Sequence, residues 1–253
     1  MPVAKLLILI AVFFLTSMIS VVTGSTSLIT VPVLIAVGIE THVAIATNML
    51  ALTFLSAGGS LPFLGKGIIN RRRLPLCLIL TVAGSVIGAL MMLRVPARAV
   101  QLTLVAAMIA AIALTLMRRD ISLRGIAAPV SLTAKFAGYG ATFLLAVYGG
   151  SISGGYVTML TAAFVFFFGM TLLESVATTK IVNFFSSGIA TLVFLWQGAA
   201  NWKLGIVLGL VMFFGALLGG HISMKLSSTW LRRIFVAVLL GMAIKMLWTA
   251  TSH

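Results

Sequence analysis

The chain has 253 residues and a mass of 26.7 kDa; 61% of its residues are hydrophobic, only 8% are charged, and the mean hydropathy is +1.23. An ordinary soluble domain carries roughly 25% charged residues, so a soluble enzyme and a disordered chain are both excluded and an all-α polytopic membrane protein is expected. The net charge of +14 sets seventeen Lys and Arg against three acids, Glu40, Asp120 and Glu174; with no soluble basic domain to hold it, this charge points to loop anchors at a lipid bilayer and not to a nucleic-acid partner.

Gly, Pro and charged clusters divide the chain into apolar runs. In order they predict helical segments at 6–22, 27–37, 42–64, 74–93 and 97–117, then at 136–149, 157–168, 174–196, 204–224 and 230–249. At about 1.5 Å per residue, the third to fifth segments of each set reach ~30 Å and can cross a bilayer. The segments 27–37 and 157–168 reach about half that depth, and each follows a Gly-rich break: Thr23-Gly24-Ser25-Thr26 and Ser153-Gly154-Gly155-Tyr156. Interrupted helices at membrane depth are tolerated where they are buried in protein or line a cavity.

Sliding the chain along itself by 131 residues places Gly24, Gly38, Gly67, Gly84 and Gly88 on Gly155, Gly169, Gly198, Gly215 and Gly219 without a gap. Ala46-Thr47 meets Ala177-Thr178, Ser56 meets Ser187, and Gly67 and Asn70 meet Gly198 and Asn201. Apolar composition alone does not align glycines and an asparagine in one register, so the halves read as duplicates. The expected organisation is a first repeat over 1–117, a cytoplasmic linker over 118–135 and a second repeat over 136–253. Segment 6–22 matches an internal segment, so it is expected to be a structural helix and not a signal peptide.

Positive residues set the orientation. Lys66 with Arg71, Arg72 and Arg73, then Arg118, Arg119, Arg124 and Lys135, then Lys225, Arg232 and Arg233 fall on one side if the third to fifth segments cross singly. The first two segments of each half must then enter and leave on one side, as a re-entrant pair or as a helix with a partly unwound return. The halves are therefore expected to be inverted relative to each other, with both termini periplasmic. Inverted repeats with broken helices are a transporter architecture whose site lies between the repeats, although a channel can also use half-helices.

The pattern Gly24-Ser25-Thr26-Ser27-Leu28-Ile29-Thr30-Val31-Pro32-Val33-Leu34, with Gly38, Ala44-Ile45-Ala46-Thr47-Asn48, Gly65-Lys66-Gly67-Ile68-Ile69-Asn70 and the paired Gly84 and Gly88, resembles the sulfite exporter TauE/SafE family. The resemblance covers essentially the whole chain. It implies a permease of a bacterial inner membrane that moves sulfite, an organosulfonate or a related small anion. The second half departs from the pattern, with Ala163 in place of Pro32 and Thr179-Lys180 in place of Asn48-Met49.

Two regions carry the expected substrate site. The breaks offer free helix N-termini, which attract oxyanions, together with Thr23, Gly24, Ser25, Thr26 and Ser27 in one half and Ser153, Gly154, Gly155 and Tyr156 in the other. The alternative is that these glycines only permit close helix contacts. Lys180 is an ionisable residue inside a predicted span, which by itself marks a functional site, and Asn183 follows on the same helix face. The alternative for Lys180 is a side chain that snorkels to the interface. Asn48 occupies the near-equivalent place in the first half.

Glu174 is expected to be an N-terminal helix charge, out of reach of Lys180, and Glu40 and His42 are expected in an interfacial loop. Cys77 is the only cysteine and reads as a packing residue. No catalytic, cofactor or metal motif is present in the sequence, so neither an enzyme nor a cofactor is expected. Association into a homo-oligomer is left open.

Overall fold

The computed structural model describes residues 2–23, 26–117, 131–222 and, near the end of the chain, 240, 241, 243 and 244. The described residues form helices and no strand: α1 (Val3–Thr23), α2 (Ser27–Ala36), α3 (Thr41–Ser60), α4 (Leu74–Met92), α5 (Ala97–Met117), α6 (Leu132–Ser151), α7 (Tyr156–Phe168), α8 (Leu172–Trp196) and α9 (Trp202–Ile222). A 3-10 turn, Leu61–Phe63, follows α3. Helices α3, α4, α8 and α9 are each long and apolar enough to cross a membrane. Large apolar side chains such as Ile79, Leu144, Phe166 and Leu192 face outward, as a lipid-facing surface requires. The protein is an all-α polytopic membrane protein, and the segment predicted at 230–249 lies mostly outside the described residues.

Local chemistry sets the helix ends. The Glu40 carboxylate accepts the backbone N–H groups of His42 and Val43 at 3.0 Å each and so caps α3. His42 therefore belongs to the first turn of α3 and not to a loop; its ring bridges Glu40 and the Val95 carbonyl. Burial acts to raise the Glu40 pKa, but the hydrogen bonds from the His42 ring and the two backbone N–H groups outweigh it and hold the carboxyl below its usual range. Ser131 caps α6, and Thr171 caps α8 by accepting the Glu174 N–H.

The two short helices end alike. Gly38 and Gly169 close α2 and α7 with φ of 99° and 64°, the left-handed conformation that stops a helix. A cation meets each of these C-terminal ends: Lys5 Nζ donates to the Val37 carbonyl at 2.7 Å, and Arg73 donates to the Phe168 carbonyl while lying 4.8 Å over the Phe168 ring. Both contacts compensate the negative end of a helix dipole. The Lys5 contact also shows that the α1–α2 pair enters and leaves at one end of the bundle. Gly138, in the second turn of α6, abuts Phe167 and Phe168 at the end of α7, so the α6–α7 pair makes the same return.

Helix α4 packs against α6 and α8, and α9 packs against α1 and α3, while α3 and α8 cross each other. Under the 131-residue shift, α4 corresponds to α9, α6 to α1 and α8 to α3, so the packing of α4 on α6 and α8 is matched by that of α9 on α1 and α3. At the crossing, Gly188 lies by Thr53, Asn183 by Ser56 and Lys180 by Gly59. Positions rise along α3 as they fall along α8, so these corresponding helices run antiparallel.

Candidate functional site

The crossing is closed by paired bonds between the halves. The Asn70 backbone N–H donates to Thr178 Oγ1 at 3.4 Å, and the N–H of its counterpart Asn201 donates to Thr47 Oγ1 at 3.1 Å. Each asparagine's Oδ1 also accepts the backbone N–H three residues on, from Arg73 and Leu204, both at 3.2 Å. Asn70 Nδ2 donates to Glu174 Oε1 at 2.6 Å, so Glu174 is engaged away from Lys180, in the first turn of α8 as expected. The repeat had already aligned the two asparagines, but their role as the seam between halves needed the tertiary contacts.

The first break joins this crossing through Asn48. Thr30 Oγ1 donates to Asn48 Oδ1 at 2.7 Å, and Asn48 Nδ2 donates to Ser27 Oγ at 3.2 Å. Both polar ends of a fully buried amide thus tie the first turn of α2 to α3. Thr26 and Ser27 are buried, Thr23 is the last residue of α1, and Gly24 and Ser25 lie outside the described residues. The second break turns through two left-handed residues, Ser153 at φ 62° and Gly155 at φ 79°. The Tyr148 hydroxyl donates to the Gly154 carbonyl. A side chain on Gly154 would run into Leu28, whose Cγ lies 3.3 Å from where that side chain would begin. The structure therefore places the second break against the first turn of α2.

Lys180 is the ninth residue of α8 and is 3% exposed. Its Cδ, Cε and Nζ lie 3.6, 3.8 and 3.9 Å from where a side chain on Gly59 would begin, so Gly59 makes room for the lysine arm between α8 and α3. The one ion pair among the described residues joins His42 to Glu40, and no hydrogen bond to the Lys180 ammonium is found there. Asn183, 2% exposed, donates through Nδ2 to Ser56 Oγ on α3. Among the described residues, no hydrogen bond links Lys180 or Asn183 to either break.

Among the described residues, five buried side-chain atoms lack a hydrogen-bond partner: Thr81 Oγ1, Tyr156 OH, Ser175 Oγ, Thr179 Oγ1 and Asn183 Oδ1. Ser175, Thr179 and Asn183 recur every fourth residue and so form one stripe on α8. Tyr156 and Thr81 sit on α7 and α4, which pack against α8, and the Tyr156 hydroxyl is turned toward Ser186 and Thr81 without bonding either. Ser186 instead pairs with Ser85 of α4 at 2.8 Å. Buried polar atoms are ordinarily satisfied by protein, water or ligand, and three of these five orphans lie on α8. The spacing of Ser175, Thr179 and Asn183 was visible in the sequence. The helices they face were not.

Comparison with known proteins points to membrane transporters. The profile of the family described as "Sulfite exporter TauE/SafE" matches residues 9–246. A Sinorhizobium protein named "Probable membrane transporter protein ORF9" is 30% identical, covering 92% of this chain and 89% of its own. A Haemophilus influenzae "Probable membrane transporter protein" is 29% identical over 96% and 94% of the two chains. The Escherichia coli "Probable membrane transporter protein YfcA" is 26% identical over 95% and 89%. No solved structure matches the chain.

Proposed function

The chain belongs to the sulfite exporter TauE/SafE family, and from that premise we propose that this membrane transporter is a secondary carrier of a small anion, sulfite or an organosulfonate, working by alternating access in a bacterial inner membrane. The observation that carries the anion reading is Lys180, a buried cation without an opposing charge among the described residues, at the crossing of the two halves. An isolated buried charge is costly unless it is paired, and a mobile anion supplies the pairing. Asn183 beside it and the two breaks, Thr23–Ser27 and Ser153–Tyr156, complete the proposed site. The antiparallel crossing of α3 and α8 supports two inverted repeats, over 1–117 and 136–253, rocking about this seam. No catalytic role is assigned to any residue.

Two measurements test this reading. Proteoliposomes loaded with unlabelled sulfite or methanesulfonate are expected to accelerate uptake of the labelled anion from outside. Flux indifferent to the anion on the far side would instead identify a channel, and no flux with any sulfite, sulfonate, sulfate or carboxylate would reject anion transport. Tags on both termini are expected to be reached from the periplasm, and a probe within 71–73 only from the cytoplasm. A cytoplasmic amino terminus would overturn the inverted arrangement.

A further inference from the structure

The number of charges in the described helices limits what this site can hold. Lys5, His42, Arg98, Lys135, Glu174 and Lys203 all fall within the first four residues of their helices. His221 lies in the last turn of α9, and among these residues Lys180 alone lies away from a helix end. Of the helices packed on α8, α3 contributes only His42, which pairs with Glu40 at the far end. The remaining titratable groups on α4, α6 and α7 are Cys77, Lys135, Tyr139, Tyr148 and Tyr156; none makes a hydrogen bond or ion pair with Lys180, and Lys135 is the one formal charge among them. On α8 itself, Glu174 is held by Asn70.

Polar atoms without partners also occur one residue before and three residues after Lys180 on α8. Thr179 and Asn183 are 0% and 2% exposed, yet Thr179 Oγ1 and Asn183 Oδ1 have no partner among the described residues. The Asn183 amide can turn over, with the Ser56 hydroxyl donating to it, and then presents its N–H groups to the free position. At the breaks, in contrast, three described polar atoms are already bonded within the protein. Ser27 accepts from Asn48, the Gly154 carbonyl accepts from Tyr148, and the Ser153 carbonyl accepts the Tyr156 N–H.

Building on the carrier reading, we infer that Lys180, Thr179 and Asn183 form the anion's ligand set and that this set selects a monovalent oxyanion: a sulfonate, or hydrogensulfite in preference to sulfite. One ammonium and neutral donors balance one negative charge. A dianion would leave a second charge buried and unopposed, which low-dielectric surroundings penalise heavily.

The test is calorimetry on the purified full-length protein with methanesulfonate, sulfate and sulfite at pH 6 and pH 8. Methanesulfonate keeps its single charge at both values, so any change in its binding reports the protein itself, and sulfite is read relative to it. Sulfate is expected to bind at least about a hundredfold more weakly, as an uncompensated buried charge implies, and sulfite to weaken from pH 6 to pH 8 as it becomes a dianion. Thr179→Val, close in shape, is expected to weaken methanesulfonate about tenfold without lowering the melting temperature of the free protein. Sulfate binding as tightly as methanesulfonate would overturn the charge assignment while leaving the carrier reading intact. Unchanged methanesulfonate affinity in folded Thr179→Val would remove the hydroxyl from the set. Absence of binding by every anion would reject both the site and the carrier reading.

Discussion

Lys180→Met is expected to weaken anion binding by roughly ten- to a hundredfold while leaving the protein folded. The loss corresponds to one charge-assisted hydrogen bond, about 1.5–3 kcal/mol. The free protein should not suffer, because Met fills a similar volume beside Gly59 and removes a buried charge that has no partner among the described residues. Replacing buried charges with apolar residues is often neutral or stabilising. The measurement is therefore a pair of melting curves for each variant, with and without methanesulfonate. Wild type should gain stability with ligand as binding to the native state requires; Lys180→Met should start as high or higher and gain almost nothing. Lys180→Arg keeps the charge but changes the donor geometry, so it should fall between them. An equal ligand-induced gain in Lys180→Met would take the residue out of the site.

The helices were legible because the bilayer imposes them. Long apolar runs can satisfy their backbones within the membrane only as helices, so hydropathy placed the element at 97–117 exactly where α5 lies, and 74–93 within one residue of α4. The starts of α1 and α6 were set too late, since Val3 and Leu132 begin helices whose first turns contain Lys5 and Lys135. Charged first turns belong to the interface, where hydropathy fades but the helix continues. Trp196 and Trp202 are exposed at the ends of α8 and α9, as an aromatic belt predicts; Trp230 and Trp248 lie outside the described residues.

The partners of each side chain were not legible, because they depend on which helices meet. Asn48 read as a donor for an anion, yet its amide is committed to Thr30 and Ser27. Lys180 could have reached for the interface. It packs instead against a glycine on the counterpart helix. The sequence did contain the place where the halves diverge. In the first half the pair Asn48-Met49 is buried with its polar atoms satisfied, Met49 within the apolar core. In the second half the same two positions hold Thr179, with an unpaired hydroxyl, and Lys180. At these two positions the first half is satisfied and the second has polar groups to spare, which favours a ligand set in the second half.

The second large effect concerns the glycines that the repeat aligns. In a bilayer, helix association rests on close packing and not on exclusion from water, since lipid tails are as apolar as leucine. Gly88 of α4 meets the backbone of α6: a methyl added there would overlap the Val147 carbonyl oxygen and lie 3.0 Å from the Ser151 nitrogen. Its counterpart Gly219 of α9 meets Met18 of α1, with the Met18 Cα 2.7 Å from where a side chain would begin. The obstacle is main chain in both cases, so no rotamer change relieves it and the helices must separate. Gly88→Ala and Gly219→Ala should each cost about 3 kcal/mol or more, the upper range for overpacking. Gly140 of α6 supplies the contrast, because it is exposed and nothing lies within 4 Å of an added methyl. Gly140→Ala should be neutral or stabilising by up to about 1 kcal/mol through helix propensity. Thermal unfolding of the three purified variants in one detergent gives the ranking directly. If Gly88→Ala melts with Gly140→Ala, the backbone contact between α4 and α6 is not what holds these helices together.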